Sequence, residues 1–186
     1  KLISEQVQVY KRTNVVKSQK FSEIIQAAMN RYLNGMLTNE QVIEELLNLA
    51  KQIAAAHQEG QALGLTADEL AFYDALTKPQ AIKDFYENEE LIAITKELAD
   101  TLRKNRTIDW QKRDSARARM RMMIKKLLKK HKYPPEGMDD AVQTVMIQCE
   151  LWTDNYNFEE DRKIYSYINH TEETLPLVAE DRGKYS

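Results

Sequence analysis

Cysteine, glycine and proline are all scarce in this chain, and each scarcity removes a class of protein. A single cysteine among 186 residues, Cys149, excludes an internal disulfide and any multi-cysteine metal site. It falls on an apolar-periodic segment and reads as a small buried core residue. Five glycines and four prolines leave stretches of 24 residues and more without either. Such sparse punctuation disfavours a strand-rich fold with frequent tight turns. No hydrophobic run approaches the ~18–20 residues of a membrane span, and no basic-then-apolar leader opens the sequence. A first residue of Lys1 rather than methionine reads as a fragment of a longer chain.

Catalytic constellations are equally thin. His57, His131 and His170 stand too far apart in sequence for a helical zinc pair or a histidine-centred triad. There is no Gly-x-x-x-x-Gly-Lys-Ser/Thr phosphate loop, since Gly183-Lys184 lacks the preceding glycine and is followed by Tyr185. The carboxylate pairs Glu44/Glu45, Glu89/Glu90, Asp139/Asp140 and Glu159/Glu160 are sequence neighbours. Neighbours on a helix diverge by about 100°, so these read as surface or helix-terminus charges rather than acid–base dyads. No metal and no cofactor is expected within this chain, and an enzyme in its own right is the least supported reading.

What is present is an ordinary globular balance, 42% hydrophobic and 30% charged. The periodicity predicts an all-α fold, an irregular bundle of about six to eight helices with a partly irregular tail. Residues 1–17 read as a lead-in helix or linker, 18–152 as the helical domain, and 153–186 as an acidic, tyrosine-rich tail. Phe21, Ile24, Ile25, Ala28, Met29 and Leu33 recur at helical steps and stop at Asn34-Gly35. Thr38–Gln41 and Thr66–Glu69 are capping boxes that open two further helices. The first should fray at Gln58-Glu59-Gly60 and turn at Leu63-Gly64-Leu65. Pro79 should close the second. A short helix is expected around 81–86, and a longer one capped by Asn88. Another, capped by Asp109, should run to a stop at Tyr133-Pro134-Pro135, and a core helix should follow from Met138 to Trp152. Asn157 is a possible cap for one more helix.

Charge is unevenly spread. Residues 103–132 hold thirteen Lys/Arg and two Asp, a local charge of +11, in a chain whose formal net charge is −2. On a helical projection with Lys112 at zero, Trp110, Ala116, Met120, Met123, Ile124, Leu127 and Leu128 occupy an arc from roughly 20° to 160°. Lys112, Arg119, Arg121, Lys125, Lys126, Lys129, Lys130 and Lys132 fill the opposite arc, on which no neutralising acid is expected. Eight like charges repel one another, so an anionic partner would relieve them, with the phosphate backbone of duplex DNA the leading choice. The competing readings are a solvated lysine-rich face, an acidic protein surface and, least favoured, a membrane. Arg113 and Arg117 fall on the apolar side, where a guanidinium requires a partner. Asp74 or Glu69 is the expected carboxylate, or Arg113 stacks on Trp110.

Two stretches resemble a known family. Leu65-Thr66-Ala67-Asp68-Glu69-Leu70-Ala71-Phe72-Tyr73-Asp74-Ala75-Leu76 is similar to a block near the C-terminus of the motor and restriction subunit of type I restriction-modification enzymes. So are Ile108-Asp109-Trp110, then Arg113, Arg117, the basic run and Tyr133-Pro134-Pro135, with Leu98 upstream and Gln148 downstream. The likeness covers roughly residues 18–152. It implies a C-terminal helical domain whose nuclease and ATP-driven translocase, with their ATP and Mg²⁺, lie upstream. It also implies a cytoplasmic complex, with the methyltransferase and specificity subunits and the DNA path as partners. Within the first block, Leu70, Phe72, Tyr73 and Leu76 are either core positions, as the spacing of Leu70, Tyr73 and Leu76 favours, or an aromatic anchor patch for a sister subunit.

Overall fold

A computed structural model describes residues 1–107 and 109–155 in full and the helical backbone of residues 156–172. Two compact units are present, Lys1–Thr153 and Asp154–Ser186. Among the described residues, eight α-helices follow in order: α1 (Leu2–Thr13), α2 (Val15–Leu33), α3 (Asn39–Leu63), α4 (Ala67–Thr77), α5 (Gln80–Phe85), α6 (Asn88–Asn105), α7 (Asp114–Lys130) and α8 (Pro135–Glu172). One 3₁₀ turn, Trp110–Lys112, precedes α7. The described residues include no strand, so the fold is all-α.

Local sequence sets several of these boundaries. Thr38 and Thr66 each accept a hydrogen bond from the backbone of the third helical residue, and Gln41 and Glu69 reach back to the cap amide, so both capping boxes form. Gly64, in the left-handed region at φ 66°, closes α3. Pro135 starts α8 at the position where its missing N–H costs nothing.

Other boundaries differ from the sequence reading. α3 does not fray at Gly60 but continues to Leu63. Gly60 is buried there, and a Cβ on it would lie 3.2 Å from the Leu65 carbonyl oxygen, so the glycine serves close packing within the helix. Asn88 does not cap α6; it is the first helical residue, and its side chain accepts a 3.3 Å bond from the Tyr73 hydroxyl instead. α8 does not stop at Trp152. With no glycine or proline between Met138 and Leu175 to break it, its backbone runs without a fresh start to Glu172. The side chain of Asn157, the possible extra cap, lies outside the described residues.

The main core gathers α4, α6, α7 and the first part of α8 around Phe72, Leu76, Ile94, Leu98, Leu102, Trp110, Ile124, Leu128, Val145 and Met146, all less than 2% exposed. Cys149 is fully buried among them, and burial pushes its thiol up to about 12, far from thiolate reactivity. Phe72 meets Trp152 edge-on at 5.6 Å, and the Arg106 guanidinium lies 4.4 Å from the same indole ring. A second cluster of Val7, Tyr10, Phe21, Leu49, Ile53 and Ala56 joins α1, α2 and α3.

A buried polar node links the two. Asp74 of α4 accepts 2.7 Å from the Asn14 amide and 3.1 Å from the Lys17 ammonium, which also meets Glu59 of α3 at 2.7 Å. The Asn14 oxygen caps α2 by accepting from Lys17 N. Gln148 of α8 spans the α1–α2 break, accepting from Val15 N and donating to the Thr13 carbonyl, both at 2.9 Å. Burial pushes the Asp74 carboxyl above its usual range, an effect that Lys17 and Asn14 offset only in part. Burial alone would lower Lys17, but Asp74 and Glu59 outweigh it and hold the amine above its ordinary value.

Removing Asp74 leaves the buried Lys17 with Glu59 alone and the Asn14 amide without its acceptor. Asp74→Ala is expected to cost about 3–5 kcal/mol in urea unfolding, and Lys17→Met with Asp74→Leu to recover most of it. A loss under 1 kcal/mol in the single variant would contradict the assignment. Tyr133 supplies an alkaline test: its hydroxyl donates 2.7 Å to the Leu76 carbonyl, and burial, then Tyr86 and Asp140, push the phenol from 10.0 to about 12. A folded value above the unfolded one gives stability that is complete below pH 10 and lost as pH rises through 12. Tyr133→Phe should therefore be less stable than the parent by about 1 kcal/mol at pH 7. It should become the more stable of the two above about pH 11.

Candidate nucleic-acid interface

The basic segment is not one helix from Asp109. Asp109 sits in the left-handed region at φ 59° and makes no side-chain cap. The 3₁₀ turn that follows drives Trp110 into the core, where it is fully buried with Nε1 donating 3.1 Å to the Thr153 hydroxyl. Extended backbone at Arg113 then resets the chain, and α7 starts at Asp114. Sinking the large indole takes priority over continuing the helix, and its N–H finds a partner there.

From Asp114 onward the two-sided pattern holds. Met120, Ile124, Leu127 and Leu128 are buried, and α7 packs on α6 and on the 3₁₀ turn. Arg119, Arg121, Lys125, Lys126, Lys129, Lys130 and Lys132 are exposed, as is Lys112 on the turn before. Asp114 is also exposed and shares the basic arc, contrary to the expectation that no acid lies there; in the first turn its charge favours the helix N-terminus.

The cations divide into two sets. Lys112 meets Asp109 at 3.1 Å, Lys125 meets Asp139 at 3.4 Å, and Lys130 meets Glu97 at 2.7 Å. Glu97 is also 2.6 Å from His131 Nε2, and hydrogen bonds from Lys130 and then His131 hold its carboxyl below the usual range. Arg119, Arg121, Lys126, Lys129 and Lys132 make no ion pair among the described residues. Arg119 and Lys129 are ten residues apart, about 15 Å along the axis. Met122, 73% exposed, lies among these cations and was not placed on this face from the sequence.

Arg117 pairs with Glu150 of α8 rather than with Asp74 or Glu69. Those two are already committed, Asp74 to Asn14 and Lys17, and Glu69 to its capping box. Arg113 is exposed and does not stack on Trp110. Sequence reading missed Glu97, Asp139 and Glu150 as partners because each comes from another helix, and no local pattern marks it.

The block from Leu65 to Leu76 is interior. Leu70, Phe72, Tyr73, Asp74 and Leu76 are all buried, so no aromatic anchor patch faces outward. Tyr133 is also buried, with Pro134 half-buried beside it.

The described residues contain no cluster of three or more His, Cys, Asp or Glu that could hold a metal, and none of their helices is long and apolar enough to cross a membrane. The arrangement defines a class, an all-helical domain that turns a cationic helix outward. The sequence family described as type I restriction enzyme HindI endonuclease subunit-like, C-terminal, matches residues 1–155, and the chain belongs to it. The type I restriction enzyme HindI endonuclease subunit of Haemophilus influenzae is 37% identical over 148 residues, 80% of this chain and 14% of that protein. A putative type I restriction enzyme MjaIXP endonuclease subunit of Methanocaldococcus jannaschii is 33% identical over 167 residues, 89% of this chain and 15% of that protein. The chain thus spans about one seventh of the length of these curated relatives. No solved structure matches it significantly.

The left-handed Lys132, at φ 57°, ends α7 at a position that glycine occupies without strain. Lys132→Gly is expected to raise stability by about 0.5–1 kcal/mol, read as a higher urea midpoint at unchanged slope. A lowered midpoint would show that the lysine stem contributes packing that outweighs the backbone strain.

Proposed function

We propose that this C-terminal domain of a type I restriction endonuclease subunit holds DNA by its phosphate backbone through α7 and contributes to assembly with the methyltransferase and specificity subunits. The observation that carries the DNA reading is the set of five exposed cations, four on α7 and Lys132 just past its end, without acidic partners among the described residues. Lysine and arginine on phosphates position a duplex without reading bases, so sequence choice would fall to other subunits. Nuclease and translocase chemistry, with ATP and Mg²⁺, is assigned to the remaining six sevenths of a full-length subunit, acting on cytoplasmic DNA.

A specific observation favours a second reading. Met122 is an exposed apolar side chain among the lysines, which suits an acidic protein surface with an apolar spot better than a phosphate backbone. On that reading α7 meets a sister subunit and never touches DNA.

A salt-titrated gel shift with duplex DNA separates the two. Five phosphate contacts give a slope of log affinity against log salt of about −4 to −5, a loss on the order of 10²–10³-fold between 50 and 200 mM. Reversing Arg119, Lys126 and Lys129 to glutamate should reduce the slope by about 3 and leave far-UV helicity intact. Unchanged DNA affinity in that variant, with lost association to the methyltransferase–specificity complex, would replace the DNA reading with the second one.

A further inference from the structure

The α2–α3 hairpin carries apolar side chains that this unit leaves exposed or only partly covered. On α3, Ile43 and Leu47 are 58% and 59% exposed, and Leu46 and Ala50 lie on the same side between them and the core face. On α2, Ile25, Met29 and Leu33 follow at four-residue steps, with Leu33 73% exposed. Ile25 of α2 and Leu46 and Ala50 of α3 line a cleft of about 570 Å³ together with residues Lys1 to Ser4 at the start of α1. Leu2 projects at the same place, 77% exposed. Scattered exposed apolar residues are normal, but a contiguous strip along two paired helices marks an interaction surface.

Two facts bear on the occupant. The family matched here is described as C-terminal, and the relatives are about seven times longer than the matched segment. Residues Lys1 to Ser4, where upstream polypeptide would join this domain, themselves line the cleft. A segment tethered at that point meets the strip at a high effective concentration without a second binding partner.

We infer that the strip is the seat of the polypeptide immediately upstream of this domain in the full-length subunit. It would lie there as an amphipathic helix whose apolar side chains fill the cleft between Ile25 and Leu46. The strip then belongs to the joint between the C-terminal domain and the rest of the subunit, and it is built on helices other than α6, on which α7 packs. The inference rests on family membership and not on the DNA reading.

Hydrogen–deuterium exchange of residues 25–50, measured in the full-length subunit and in the 186-residue chain, tests this. Protection at least 10-fold greater in the monomeric full-length subunit, independent of concentration, is the expected result. Leu47→Glu in the full-length subunit should abolish the difference while leaving the α7-dependent gel shift unchanged. Equal exchange in the two proteins overturns the inference. So does protection that appears in the 186-residue chain together with a dimer mass, or only after the methyltransferase and specificity subunits are added.

Discussion

The Asp74 carboxylate is the constraint around which the first unit is arranged. Placed on an eleven-residue helix buried from Leu70 to Thr77, it is largely withdrawn from solvent and needs donors from other helices. Asn14 and Lys17 supply them, which obliges the α1–α2 break to sit against α4. Lys17 also contacts Glu59, fixing α3 in turn, and Gln148 satisfies the two backbone groups that the break exposes. The carboxyl is pushed upward by burial even so, while Asp74 and Glu59 hold the lysine above its ordinary value.

Against that interior, α7 presents the opposite situation, charge kept in water. Lys112, Lys125 and Lys130 lean on acids from the turn before α7, from α8 and from α6, and these exposed pairs are weak. The cations without such partners run from Arg119 to Lys132. The net result is a helix whose inner side is ordinary core and whose outer side retains most of its field.

How far this was legible in the sequence follows the range of the interactions. Thr38–Gln41 and Thr66–Glu69 are complete within four residues, and both formed as read. The division of α7 into Met120, Ile124, Leu127 and Leu128 against its lysines is also local, a matter of angle alone. Asp109 misled because a capping residue beside Trp110 looks like a helix start, whereas burying the indole against Thr153 is a contact 43 residues away. The Glu150 partner of Arg117 was invisible for the same reason. Ile25, Met29 and Leu33 failed in another way. Their helical spacing marks an apolar side correctly, but periodicity does not say whether a neighbouring helix covers it. The aromatic block at Leu70–Leu76 was open between core and interface, and its burial assigns it to the core.

The anchoring of α7 at both ends carries one more consequence. Trp110 pins the approach to the helix, while Glu97 holds Lys130 and His131 and the Tyr133 hydroxyl ties the exit to Leu76. The backbone beneath the charges is therefore ordered before any polyanion arrives. On the DNA reading proposed above, only side-chain rotamers would remain to be immobilised on contact. That pre-ordering would then favour binding, because no backbone entropy is left to lose.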